Sequence, residues 1–213
     1  MLHARLDRPR TVLCLGAHAD DIEVGCGGTL LHLLAAHDDL TVHWVVLSGE
    51  GERAEEARRG AELLLPDASR RRVVVERFRD SFFPYDGGDI KERLHAIARE
   101  VSPDLIFTHR REDLHQDHRL VSELTWNAFR DHLILEYEIP KYDGDLGQPN
   151  VYVPLTRELA SRKVDTIIDT FQSQQGHVWF SPDTFWATMR LRGVECNASD
   201  GFAEGFHCRK MVF

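Results

Sequence analysis

Residues 11–23, TVLCLGAHADDIE, place a short apolar run directly before a polar and acidic segment. The run Thr11 to Gly16 is rich in β-formers and ends in a small residue, which predicts a buried strand followed by a loop. From Glu23 to His37, leucines recur at helical spacing and predict an amphipathic helix. Strand, loop and helix in this order are the first half of a βαβ unit.

The same alternation of strand and helix continues along the chain. Strands are predicted at Leu40 to Leu47, Arg72 to Phe78 and Asp104 to Thr108. Helices are predicted at Glu52 to Leu65, at Asp89 to Val101 with Asp89 as its cap, and at Asp117 to His132. Because βαβ units build parallel sheets with helices on both faces, we predict an α/β fold with a Rossmann-like, mostly parallel sheet.

The pattern changes after His132. Short strands are predicted near Ile134 to Ile139 and at Val151 to Val153, a loop at Tyr142 to Asn150, a helix at Thr156 to Thr170, and a mixed tail. No linker-like Pro/Gly/Ser stretch separates this part from the first half. We therefore predict an appended α+β C-terminal portion within a single domain that spans residues 1–213.

The charge balance of the chain limits its partners. There are 26 Lys and Arg against 35 Asp and Glu, which gives a net charge of −9. An acidic protein is a poor ligand for nucleic acid or for an anionic membrane surface, so we expect a small-molecule partner. The chain also has 12 histidines, several of them clustered, which directs the search towards metal or proton chemistry.

The cysteines and the start of the chain bear on location. The cysteines form no C-x-x-C pair, and we expect all of them to be reduced. The first residues are charged and the first apolar run is short, so we expect neither a signal peptide nor a membrane span. Together these features predict a cytoplasmic protein.

Two polar clusters each follow a predicted parallel strand. The first is Ala17 to Glu23 and the second is His109 to His118. In open α/β sheets ligands bind beyond the carboxyl ends of the strands. The two clusters are therefore expected to face one another across a single site.

The residue types of these clusters suit a divalent metal. A catalytic zinc site uses three imidazole or carboxylate ligands and keeps one position open for water. His18, Asp21 and His118 can supply the three ligands, because a spacing of three puts His18 and Asp21 on the same side of a turn. Asp20 then points elsewhere, where a general base belongs.

The second cluster contains a further pair of histidines. His115 and His118 are also three residues apart, so one can bind metal while the other reaches the substrate. Asp113 or Asp117 could hold an imidazole in its tautomer. Both aspartates could equally be ordinary helix caps.

These clusters resemble the motifs of the LmbE-like or PIG-L deacetylases, zinc-dependent enzymes that hydrolyse the N-acetyl group of amino sugars and related metabolites. The stretch AHADDIE at residues 17–23 is similar to the family's AHPDD-x-E, with Ala19 in place of the proline. The stretch at residues 109–118 is similar to the family's H-x-x-D-x-H-x-D-H. Weaker resemblance extends to Gly49–Ala57 and to Ala203, Glu204 and Phe206.

The resemblance implies a role for each candidate residue. It implies that zinc is bound by His18, Asp21 and His118, that Asp20 is the general base, that His115 is an acid or oxyanion partner, and that Asp117 orients His115. Arg53 and Asp113 are the candidate substrate-binding residues. The implied reaction is attack of a zinc-activated water on the amide, which releases acetate and an amine. Fe²⁺ suits the same ligands, and many members of such a family form oligomers.

Other interpretations remain open. The first cluster could be a polar loop before an acidic helix N-terminus, and Arg53 could simply pair with glutamates of its own helix. A metal-dependent hydrolase of another bond, such as a phosphoester, would be expected to show more bridging carboxylates. A non-catalytic metabolite-binding relative is the third alternative. A dinucleotide site is disfavoured, because Gly25, Gly27 and Gly28 do not form G-x-G-x-x-G.

Overall fold

A seven-stranded sheet flanked by helices runs through the part of the chain that the computed structural model describes, residues 9–212. Its strands are β1 (Thr11–Gly16), β2 (Thr41–Val46), β3 (Arg71–Val75), β4 (Leu105–His109), β5 (Leu133–Tyr137), β6 (Val151–Leu155) and β7 (Phe202–His207). The helices are α1 (Asp21–Ala36), α2 (Gly51–Leu64), α3 (Gly87–Glu100), α4 (Gln116–Ala128), α5 (Arg157–Thr170) and α6 (Pro182–Glu195).

The strand order is β3-β2-β1-β4-β5-β7-β6. The first five strands in this order are parallel, whereas β7 runs antiparallel to both β5 and β6. The order reverses direction between β1 and β4, which places a topological switch point between these two neighbours. The predicted α/β fold with a mostly parallel sheet is confirmed.

Both faces of the sheet are covered by apolar side chains. Along β1, Val12 and Cys14 pack in a core with α1, α2, α5 and α6, while Leu13 and Leu15 pack in a second core with α3 and α4. This alternation follows from the two-residue period of a strand. It also explains why the sequence of a doubly covered strand is apolar throughout.

Several predicted helix boundaries differ from the structure. Helix α1 begins at Asp21, two residues before the predicted start, with Asp20 as its N-cap. The assignment of Asp89 as a cap was wrong, because Asp86 is the N-cap and Asp89 lies in the first turn of α3. Helix α4 begins at Gln116 and ends at Ala128, four residues before His132.

The C-terminal portion is part of the same sheet. Its last strand, β7, inserts between β5 and β6, and neither this strand nor α6 was predicted within the mixed tail. Helix α6 has the local signals of a helix start, because Pro182 occupies its first turn and the side chain of Ser181 accepts a hydrogen bond from the backbone of Thr184.

A buried ion pair fastens this portion to α1. Lys163 of α5 lies 2.5 Å from Glu204 of β7 and donates to the carbonyl of Val24 at 2.7 Å. The Glu204 carboxylate accepts the backbone N–H groups of Gly28 at 2.9 Å and Thr29 at 2.6 Å. These contacts hold α1, the helix that carries Asp21 at its first position, against the sheet.

No helix among residues 9–212 is both long enough and apolar enough to cross a membrane.

Close packing of α1 on β5 gives a first prediction. A Cβ atom at Gly25 would clash with the ring of Tyr137, so Gly25→Ala should destabilise the protein by about 1–3 kcal/mol. Gly88→Ala is the matched control, because nothing lies within 4 Å of a Cβ atom there. Its effect should lie between no change and a gain of about 1 kcal/mol. Urea denaturation measures both, and an equal effect of the two substitutions would contradict this packing.

Candidate active site

The two polar clusters meet at the carboxyl ends of β1 and β4. His18 lies two residues after the end of β1, Asp21 is the first residue of α1, and His118 lies in the first turn of α4. Because β1 and β4 are neighbouring parallel strands, both clusters lie at the same edge of the sheet. The fold therefore brings the two predicted clusters together at one edge of the sheet.

Three side chains have the spacing of metal ligands. His18 Nδ1 lies 3.1 Å from His118 Nε2 and 3.5 Å from Asp21 Oδ2, and His118 Nε2 lies 3.4 Å from Asp21 Oδ1. Ligand atoms about 2.0–2.1 Å from a tetrahedral zinc ion are separated by about 3.3 Å. The two imidazoles and the carboxylate thus suit a divalent metal in chemistry, and each pair of residues is spaced like two ligands of one ion, with His18 and His118 facing different oxygens of Asp21.

The second nitrogen of each imidazole faces a carboxylate. His118 Nδ1 lies 3.0 Å from Asp113 Oδ2, and His18 Nε2 lies 3.2 Å from Asp117 Oδ2. Asp113 is buried and also lies 3.0 Å from the ammonium group of Lys141. Burial raises the pKa of Asp113, but the hydrogen bond to His118 and the neighbouring charges of His118, His109 and Lys141 together outweigh burial, so the pKa lies below its ordinary value. Such partners typically orient metal-binding imidazoles.

The carboxylate of Asp117 does not point towards His115. It accepts backbone N–H groups of Ser81 at 2.7 Å and Phe83 at 3.2 Å, which hold it beside His18. Asp117 contacts His115 through its backbone instead, because its N–H donates to His115 Nδ1 at 3.3 Å. His115 is the N-cap of α4, and its ring centre lies 4.5 Å from that of His118.

Asp20 lies beside the three candidate ligands and pairs with an arginine. Its Oδ1 accepts a hydrogen bond from Arg53 Nη2 at 2.7 Å, while Oδ2 stays outside this ion pair. Burial raises the pKa of Asp20, and the positive charge of Arg53 opposes that rise only in part. Arg53, a candidate substrate-binding residue in the sequence, thus contacts Asp20 directly.

The two candidate histidine ligands have pKa values that are shifted in opposite directions. Burial lowers the pKa of His18, but hydrogen bonds to Asp117 and Asp21 outweigh it, so the pKa lies well above its ordinary value. Burial and the neighbouring charge of His109 lower the pKa of His118 to about 3. Without metal, the shifts favour a positively charged His18 and a neutral His118 at neutral pH.

Two further residues of the site were given no role from the sequence, although His109 is the first residue of the second cluster. His109 ends β4 and is fully buried, with its ring stacked 3.9 Å from that of His118 and its Nε2 3.1 Å from Asp21 Oδ2. Asp80 lies in the loop after β3, and its Oδ1 is 3.2 Å from His18 Nε2. The position of each, at or after the carboxyl end of a parallel strand, was the available signal.

The first cluster also contains a buried acid without a partner. Neither oxygen of the Glu23 carboxyl group has a hydrogen-bond partner among the described residues. A Cβ atom at Gly60 of α2 would clash with this carboxyl group, so α2 packs directly over it. Burial raises the pKa of Glu23 well above its ordinary value, so its position beneath α2 favours the neutral form.

Comparison with known proteins points to deacetylases. A family model described as PIG-L: GlcNAc-PI de-N-acetylase matches residues 13–129, more than half of the 213-residue chain. The uncharacterized deacetylase YaiS of Escherichia coli (strain K12) is 29% identical over 147 residues, which cover 63% of this chain and 76% of YaiS.

Solved structures share the fold. The N,N'-diacetylchitobiose deacetylase from Pyrococcus horikoshii superposes with a TM-score of 0.76 at 19% identity, over 94% of this chain and 84% of its own. GalB, the 4-carboxy-2-hydroxymuconate hydratase from Pseudomonas putida KT2440, superposes with a TM-score of 0.75 at 19% identity, over 96% and 98%. Likeness at this identity shows the fold alone, and the fold hosts more than one reaction.

The protonation of the two histidines can be tested after the metal is removed by chelation. In NMR titrations of the imidazole nitrogens, His118 should stay neutral down to about pH 3. His18 should stay protonated through neutral pH. Its raised pKa stabilises the metal-free fold at low pH, and this contribution is lost as the pH rises through the folded-state pKa. If both rings titrated near pH 6.5, the ordinary pKa of histidine, the burial and hydrogen bonds described for His18 and His118 would be contradicted.

Proposed function

The chain belongs to the PIG-L family of deacetylases, and we propose that it hydrolyses the N-acetyl amide of an amino sugar or a related small metabolite at a single bound zinc ion. One observation carries this proposal. His18, Asp21 and His118 lie within 3.1–3.5 Å of one another, with Oδ2 of Asp21 facing His18 and Oδ1 facing His118, and the carboxylate of Asp20 lies beside them without being one of the three. Three ligands and an adjacent carboxylate that does not bind the metal are the composition of a hydrolytic metal site.

The metal would be held by His18 Nδ1, His118 Nε2 and the Asp21 carboxylate. When bound, zinc supplies a Lewis acid that makes water nucleophilic at neutral pH and polarises a carbonyl group. Iron(II) is the alternative metal, because it also accepts imidazole and carboxylate ligands. Asp113 and Asp117 fix the two imidazoles from behind, which keeps their ligand nitrogens directed into the site.

We assign the general-base role to Asp20. Its Oδ1 is held by Arg53, so Oδ2 is the atom that takes a proton from the attacking water. The raised pKa of this buried carboxylate brings it closer to the operating pH, which suits a group that first accepts a proton and then passes it to the leaving amine. The products are acetate and a free amine.

We assign oxyanion stabilisation to His115. Because its Nδ1 accepts the backbone N–H of Asp117, the proton of the neutral ring resides on Nε2. This N–H can donate to the negative charge that develops on the carbonyl oxygen. The ring is half-buried, and burial together with the charge of His18 lowers its pKa, which favours the neutral donor.

Asp113 and Arg53 receive modified roles. Asp113 is buried behind His118 and bound by Lys141, so we propose that it orients His118 and does not contact the substrate. Arg53 uses three of its five N–H groups on Asp20, Glu56 and Ser173, so we propose that it holds Asp20 in place and does not bind the substrate. Location in the cytoplasm stays a prediction of the sequence.

Substitution of the proposed base tests the reaction. Asp20→Asn should retain zinc and reduce amine release from a panel of N-acetylated amino sugars by about 10²- to 10⁴-fold. Asp38→Asn, at an exposed position after α1, is the control and should leave the rate unchanged. Amine and acetate are quantified for zinc-loaded and chelator-treated protein. Full activity of Asp20→Asn would contradict the proposal. So would a reaction in which water adds to the substrate and no amine is released, because amide hydrolysis must release the amine.

Substitution behind His118 tests the metal site. Asp113→Asn should weaken zinc binding by roughly 10- to 100-fold, because the imidazole loses its charged partner. Competition with a chromophoric chelator measures the affinity, with Asp143→Asn in an exposed loop as the control. Unchanged zinc affinity combined with a raised KM would instead assign Asp113 to substrate binding.

A further inference from the structure

Arg53 is held by residues from two distant parts of the chain. Its Nη1 donates to Glu56 Oε2 at 3.0 Å and to Ser173 Oγ at 3.2 Å, while Nη2 donates to Asp20 at 2.7 Å. The guanidinium also lies 5.7 Å from the ring centre of Phe171. Phe171 and Ser173 follow α5 and lie outside residues 13–129, to which the family model is confined.

Glu56 and Ser173 form a closed hydrogen-bonded unit. The backbone N–H of Ser173 donates to Glu56 Oε1 at 2.8 Å, and the Ser173 hydroxyl donates to Glu56 Oε2 at 2.6 Å. Both carboxylate oxygens are thus used, and the hydroxyl that donates to Glu56 also accepts from Arg53. This unit leaves the guanidinium little freedom to turn away from Asp20.

A neighbouring pair shows what an ordinary ion pair on α2 looks like. Arg58 and Glu55 are also three residues apart and lie 2.9 Å from each other, but their side chains are 47% and 78% exposed. Such exposed pairs contribute little. The Glu56 side chain is only 7% exposed and is anchored to another element, so helix-surface pairing does not account for it.

We propose that Glu56 and Ser173 are positioning residues that lock Arg53 against Asp20 and so fix the geometry of the general base. The inference rests on the proposed function, in which Asp20 takes the proton from water. Arginine is long and flexible, and a displacement of about 1 Å at a catalytic group can reduce a rate by about 10²-fold. The C-terminal portion thereby contributes to catalysis through Ser173 without touching the substrate.

Steady-state kinetics of the zinc-loaded full chain test this inference. Glu56→Gln and Ser173→Ala should each lower kcat by roughly 10- to 100-fold, with KM within about two-fold of wild type and unchanged zinc content. Ser173→Thr retains the hydroxyl and should restore most of kcat. Glu55→Gln, one position away on the exposed face of α2, is the matched control and should match the wild type.

The possible outcomes distinguish a failure of the positioning role of Glu56 and Ser173 from a failure of the proposed deacetylase function. Wild-type kcat in both Glu56→Gln and Ser173→Ala would overturn the positioning role while leaving the deacetylase intact. A raised KM with unchanged kcat would also overturn it, because Arg53 would then act in substrate binding. An inactive wild-type protein with bound zinc would overturn both proposals. If Glu56→Gln does not fold, Ser173→Ala, which removes one oxygen atom, decides the question.

Discussion

The rest of the site depends on the contacts that the Asp21 carboxylate makes. Its Oδ2 accepts the backbone N–H of His18 at 2.6 Å and lies 3.1 Å from His109 Nε2, and its Oδ1 lies 3.4 Å from His118 Nε2. Burial alone would raise the pKa of Asp21, but the imidazoles of His118 and His109 outweigh it and hold the pKa well below its ordinary value. A carboxylate whose ionised form is favoured by its neighbours therefore joins the end of β1, the end of β4 and the start of α4.

This junction exists because β1 and β4 are parallel neighbours and because α1 is fixed from behind. The pairing of Leu13 with Ile106 aligns the two strands so that both end at the same edge. The Lys163–Glu204 pair holds the backbone of α1, and Ser173 holds Arg53 against Asp20. The C-terminal portion thus supports α1 and the proposed base, although it supplies none of the proposed metal ligands.

Sequence was sufficient where the signal is local. Each polar cluster follows an apolar strand directly, so the grouping of His18, Asp21 and His118 could be predicted. It was insufficient where distant parts of the chain meet. The stretch FAEGFH of β7 contains a glycine and a glutamate and forms a strand through its pairing with β5 and β6. The direction of the Asp117 carboxylate is set by N–H groups from the loop after β3, and Arg53 is held by a serine 120 residues further along the chain.

Anomalous X-ray diffraction at the zinc absorption edge, from crystals of zinc-loaded protein, tests most directly whether these side chains form one catalytic metal centre. We predict a single strong peak about 2.0–2.2 Å from His18 Nδ1, His118 Nε2 and one oxygen of Asp21, with Asp20 unbound. A peak bound by His109 in place of His18, or by Asp80 and Asp117 without His118, would contradict the proposed ligand set. So would a direct bond between zinc and Asp20, because that carboxylate could then no longer act as the base.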